Sequence, residues 1–334
     1  MPDLRTTITE LVTGLGTLGY DSAGEAIGAR PAEMVSVSPE TWELLERAHA
    51  GGALAASFEL AWSNGVAFAR AREGLRERRP IVIEWKGSQR APGDEVAPID
   101  LRIDHVYLIS CKYLSKITIN ASPSHLFQRL LQGPHGVRGG DWYEEVAPDE
   151  YRQLYESVLA ELGWSDLPAD VGRLSQAQRT RLSDALSGGW PPVARAQYEH
   201  LANVVAHRTA EHWLEALATT AQSEAMLWRI LRMGGAPYYM LGASPAGPLR
   251  LRVATPWDWR ASFRLRRFEC AAQEGGQPRV GWTATIEDRH SATRRIVRGH
   301  VEVRWSHGRF GGNPEAKVYL DTAHGDVPGY FPLN

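Results

Sequence analysis

The chain has 334 residues, of which 43% are hydrophobic and 23% charged, and a formal charge of −2. That length exceeds what one hydrophobic core usually fills, and the composition excludes a disordered or collagen-like chain. Two cysteines, Cys111 and Cys270, are too few for a disulfide framework or a cysteine metal cluster.

Both cysteines lie in apolar runs and read as reduced core positions. The opening run, MPDLRTTITELVTGLGTLGY, carries Asp3 and Glu10 and lacks a basic-then-apolar leader pattern. No stretch reaches the roughly 20 apolar residues of a membrane span. The expectation is a cytoplasmic protein with no membrane partner.

Along the chain, 37–49 reads as a helix capped by Ser38, and a longer helix is expected over 54–78, ending before Pro80. The period then changes to two. Ile81, Ile83 and Trp85 alternate with Val82, Glu84 and Lys86, the pattern of a half-buried strand. Two further β-like runs follow at 99–103 and 106–113. Ser122-Pro123 opens a helix that Gly133-Pro134 ends. From Asp149 to Met233 the pattern is helical, its last stretch being one helix or two broken near Thr219-Thr220. After Gly235 the text is mostly β-like.

Charge is uneven. Between Arg250 and Phe310 thirteen arginines face six acids, so this segment is +7 and the remainder −9. Such a segment is a candidate phosphate-binding footprint, or an arginine-decorated sheet surface.

The chemistry concentrates in APIDLRIDHVYLISCKYLSK, residues 97–116. Only four lysines exist, Lys86, Lys112, Lys116 and Lys317, and three fall within 86–116. In an arginine-rich chain a lysine offers a compact point charge with an adjustable pKa. Lys112 closes an apolar strand, where an ammonium needs an anionic partner. Asp100, opening the preceding strand, is the nearest by topology. An acid and a lysine so placed suit metal-assisted phosphodiester hydrolysis, with Mg²⁺ or Mn²⁺ on the carboxylate and the ammonium orienting water. Glu84 and Glu59 are the candidates for a second metal ligand.

This run of elements resembles the PD-(D/E)XK restriction-endonuclease-like superfamily, in its degenerate Mrr-type branch. The carriers are Pro98-Ile99-Asp100 and Ser110-Cys111-Lys112-Tyr113, within about residues 54–132. The resemblance implies Asp100 as metal ligand, Lys112 as catalytic lysine and Glu59 as the helix-borne acid. Ser110 stands where that family usually has an acid or Gln, so the second ligand would come from elsewhere.

Parity supplies a geometric condition. A two-residue turn at Asp104-His105 would point Asp100 away from Ser110 and Lys112, whereas a three-residue loop over 104–106 would set Asp100 opposite Ser110. Asp104 reads as a turn residue. Glu84-Trp85-Lys86 also spells an acid-x-lysine, but no acid-bearing strand precedes it. His200, His207 and His212 lack the spacing of a zinc helix. Gln128, His300 and His307 could touch phosphate, or be solvated and structural. Trp257, Trp259, Trp282 and Trp305 could stack on bases, although tryptophan on strands usually fills core.

The expected architecture is α/β: a restriction-endonuclease-like mixed sheet with flanking helices over 1–148, a helical insertion over 149–235, and an Arg-rich, β-rich region over 236–334. Residues 237–242 are a candidate core strand. The expected function is a Mg²⁺-dependent nuclease acting on DNA, without a decision against RNA. The alternative is an inactive nuclease-fold protein that binds nucleic acid or builds a complex, with a homodimer or another partner.

Overall fold

A computed structural model describes residues 4–87, 99–129 and 140–334. In chain order the elements are α1 (Leu4–Leu15), α2 (Ala23–Ala29), β1 (Met34–Val35), α3 (Pro39–Ala50), α4 (Ala55–Arg70), β2 (Ile83–Trp85), β3 (Leu101–Ile103), β4 (Tyr107–Tyr113) and β5 (Ile117–Ala121). A π-helical turn over His125–Arg129 precedes α5 (Trp142–Val146), α6 (Pro148–Leu162), α7 (Gln176–Ala185), α8 (Pro192–Ala216) and α9 (Thr220–Ile230). Next come β6 (Tyr238–Ser244), β7 (Gly247–Val253), α10 (Pro256–Ser262), β8 (Phe263–Gln273), β9 (Arg279–Asp288), β10 (Arg294–Arg304), β11 (Glu315–Leu320) and β12 (Tyr330–Pro332).

The chain divides into two compact units, one of residues 1–115, 232–262 and 324–334, the other of 116–231 and 263–323. These boundaries differ from the expected 148 and 235. Strand β5 is the reason, since it pairs with β11 and so leaves the first unit directly after β4. A periodicity reveals a strand but not its partner.

The first unit holds a mixed sheet ordered β1-β2-β3-β4-β6-β7-β12. β2, β3 and β4 are successively antiparallel, β6 runs parallel to β4, and β7 returns antiparallel. The candidate strand at 237–242 is therefore in the sheet. Alternation sends Ile83, Leu101, Ile103 and Ile109 to one face, where they meet Ile8, Leu11, Val12 and Leu15 of α1 and Phe58, Ala61 and Phe68 of α4. Ser38 caps α3 as expected. α4 stops at Arg70, short of 78, because Ala71 turns to extended backbone with φ −60° and ψ 144°.

Gly65 lets α1 and α4 approach closely. A Cβ there would lie 2.2 Å from the Thr13 carbonyl oxygen. Thr13 Oγ1 donates to the Ala61 carbonyl across the same seam at 3.3 Å. Gly65→Ala should cost about 2 kcal/mol by overpacking, measured as a fall in urea midpoint at unchanged slope.

The second unit holds an antiparallel sheet ordered β5-β11-β10-β9-β8. Its buried face carries Val280, Trp282, Ala284, Val301 and Val318, and α8 packs on β8 and β9. Helix 192–233 is two helices, with Thr219 capping the second. Residues 130–139 lie outside the described residues, and with them the expected stop at Gly133-Pro134. Among the described residues no helix is long and apolar enough to cross a membrane.

Asp141 caps α5 and accepts from the Tyr143 N–H at 3.0 Å and the Tyr151 hydroxyl at 2.9 Å. Burial lifts its carboxyl to about 6, against the opposing pull of Tyr151, Tyr143 and Arg179. The folded state therefore holds this proton after the unfolded chain has released it. Between the unfolded value near 3.8 and about 6, stability falls as pH rises. The loss approaches about 3 kcal/mol above that window. Denaturant titrations should show Asp141→Asn gaining on the wild type from pH 4 to pH 7, while equal pH profiles would contradict the assignment.

Candidate active site

The β3–β4 hairpin decides where Asp100 lies. Leu101 pairs with Ile109, Arg102 with Leu108 and Ile103 with Tyr107, leaving a three-residue loop over 104–106. Asp104 and His105 take left-handed φ of 50° and 58°. Asp104 Oδ1 accepts the N–H groups of Ile81 and Val82 at 2.7 and 3.1 Å, so it holds the turn. The odd loop meets the parity condition. At the far end of β3, Asp100 Oδ2 accepts from the Ser110 hydroxyl at 3.4 Å and from the Cys111 N–H at 2.6 Å. Lys112 follows Ser110 by two residues and shares its face of the sheet.

On the other side of β4, Met240 pairs with Ser110 and Gly242 with Lys112. Tyr238 lies on the same face by alternation. Its hydroxyl is buried with no hydrogen-bond partner among the described residues. Burial pushes this phenol up; Arg232 opposes the shift and Asp100 adds to it.

One acid was missed by sequence reasoning. Glu10 of α1 is only 6% exposed and accepts from Trp85 Nε1 at 2.6 Å. Burial pushes the Cys111 thiol well up, the Asp100 and Glu10 carboxylates push it further, and Lys112 opposes them. The helix that carries Glu10 explains this setting: α1 is buried from Thr7 to Leu15, and its only charges are Arg5 and Glu10.

The other candidates are placed differently. Glu84 lies opposite Arg102, which binds it at 2.6 Å, while Lys86 and His105 each approach to 3.4 Å. Although burial works to raise it, Arg102 foremost, with Lys86, holds the Glu84 carboxyl below its usual range. A carboxylate so engaged would have to leave three partners to bind a metal. The Glu84–Lys86 match thus folds onto itself. Glu59 is exposed on α4, which packs on the sheet face opposite Ser110 and Lys112, so the structure does not bring it to Asp100.

The arginine segment is not one surface, because residues 250–262 belong to the first unit and 263–310 to the second. Much of it is neutralised. Glu287 pairs with Arg264, Arg266 and Arg294, and Glu302 with Arg279 and Arg304. Gln128 donates to Glu145 at 2.6 Å, and His300 pairs with Asp321 at 2.8 Å. His307, largely exposed, lies 3.7 Å from Glu315. Trp259 and Trp282 are buried core, whereas Trp257 is 79% exposed. Pro98 lies outside the described residues.

Among the described residues no group of three or more His, Cys, Asp or Glu could hold a metal ion. Magnesium does not require one, since it takes one or two carboxylates and completes its shell with water and substrate phosphate. The oxygens of Asp100, Ser110 and the unpartnered Tyr238 suit a hard cation of this kind. Comparison of the chain with protein-family models, curated proteins and solved structures found no match.

Proposed function

We propose that the first unit is a metal-dependent nuclease that hydrolyses DNA phosphodiester bonds at the Asp100–Ser110–Lys112 face. The observation that carries this reading is the three-residue loop, which gathers the aspartate, the serine and the lysine on one side of β3 and β4. The sheet supports it further. The three expected strands share one sheet with the candidate fourth strand, β6.

Asp100 would hold Mg²⁺ or Mn²⁺, with water and substrate phosphate completing the shell. The ion, when bound, supplies polarisation of the phosphate and a lower pKa for water. Lys112 orients the attacking water and offsets charge growing on the phosphate oxygens. Ser110 donates to Asp100 and so fixes the carboxylate rotamer. Supercoiled plasmid and single-stranded DNA should be cleaved with Mg²⁺ or Mn²⁺ and spared in EDTA.

A second reading, a nuclease-fold protein without catalysis that binds nucleic acid, is favoured by one observation. Asp100 Oδ2 already serves the Cys111 N–H as a structural cap. Wild-type inactivity with every metal and substrate would select this reading over the first.

A further inference from the structure

The second unit contains a cavity of about 480 Å³ that the nuclease reading does not use. Its wall combines three aromatic rings, Trp190, Tyr198 and Trp305, with three guanidinium groups, Arg195, Arg304 and Arg309. Trp190 and Tyr198 are stacked at 4.8 Å with an interplanar angle of 26°. Tyr198 and Trp305 are also near-parallel, at 28° and 6.3 Å. Arg309 lies over the Trp190 ring at 4.9 Å. The rings thus form one aromatic wall, with the Arg309 guanidinium lying over Trp190.

Two donors in this wall are unsatisfied. Among the described residues, buried Trp305 Nε1 and Arg304 Nε have no hydrogen-bond partner, while Arg304 Nη1 pairs with Glu302 at 3.6 Å.

We propose that this cavity binds a nucleoside phosphate, with the base against the aromatic wall and the phosphate against the arginines. Aromatic stacking accepts any base face and contributes about 1–3 kcal/mol per base. Guanidinium forks match phosphate oxygens in pairs. The volume lies within the roughly 300–1,000 Å³ of small-ligand sites. Asp184 and Glu199 also line the cavity and can accept from base amino or ribose hydroxyl groups. An aliphatic anion would leave the rings unused. The same chemistry is offered by a free nucleotide and by the terminal nucleotide of a single strand.

The test is calorimetric titration of the full chain in EDTA, which keeps metal-dependent cleavage out of the measurement. The probes are AMP, adenosine, inorganic phosphate and a 5′-phosphorylated oligothymidylate. AMP should bind at least about tenfold more tightly than adenosine or phosphate, about 1.4 kcal/mol. Arg195→Ala, an exposed side chain outside the aromatic cluster, should weaken AMP about tenfold and leave adenosine unchanged. Tyr198→Leu should weaken both. Tighter binding of AMP than of the oligonucleotide identifies the free nucleotide as the source, and the reverse order identifies the strand end. Absence of AMP and oligonucleotide binding up to about 1 mM would overturn the proposal. Unaltered AMP affinity in both variants would do so too. Neither result touches Asp100 or Lys112, so failure here and failure of the nuclease reading remain distinguishable.

Discussion

Lys112→Ala is expected to lower Mg²⁺-dependent DNA cleavage by about 10²–10³-fold, the usual loss when one charge-stabilising donor leaves a site. The far-UV spectrum should stay that of the wild type. Lys112 is half-buried on β4, two residues beyond Ser110 and on the face from which Ser110 reaches Asp100. An ammonium there is a point charge on a flexible stem, so Lys112→Arg, with its planar fork, should rescue little. Lys86 is the control. Its ammonium lies 3.4 Å from Glu84, and its N–H donates to the Asp100 carbonyl at 2.9 Å. Only the backbone part of that contact survives truncation, so Lys86→Ala should keep most activity. If the two alanine variants exchanged behaviours, the working lysine would belong to the Glu84 cluster, and the assignment of Asp100 would fall with it.

The contrast between these lysines shows what the sequence could and could not disclose. Period-two alternation correctly put Glu84 on the polar face of its strand, but nothing local announced that Arg102 and His105 would converge on it. That required the register of β2 on β3, with Glu84 opposite Arg102. The Asp100 geometry was legible only as a condition. Asp and His tolerate left-handed backbone, so Asp104-His105 permitted the three-residue loop without demanding it. Helices were easier to read, because Ser38 and Thr219 are caps whose side chains accept N–H groups three residues on. Strand partnership was hardest. β6 joins β4 across more than a hundred residues, and β5 leaves for another sheet, although both runs look alike in one dimension. Glu10 escaped notice because an acid near a chain end reads as solvated until burial is known.

Gly242→Ala is expected to destabilise the first unit by about 4 kcal/mol, combining backbone strain with overpacking. Gly242 has a φ of +154°, and a Cβ there would lie 1.8 Å from the Lys112 carbonyl oxygen and 2.8 Å from the Lys112 nitrogen. Those are β4 backbone atoms, which cannot swing aside like a flexible side chain. Nor can β6 easily retreat. The Gly242 carbonyl accepts from Asn64 Nδ2 at 2.9 Å, Asn64 Oδ1 accepts from Arg250 Nε at 2.8 Å, and Arg250 also reaches Ser63 Oγ at 3.0 Å. This chain of bonds ties α4 to β6 and β7 directly behind the clash. Gly247→Ala separates the two causes, since Gly247 has a φ of +120° but no atom within 4 Å of its added Cβ. It carries strain without collision and should cost only about 1–3 kcal/mol. Urea unfolding of both variants decides the matter. Equal, small losses would mean that β6 does not lie against β4 at Lys112, and the parallel pairing that frames the candidate site would be wrong.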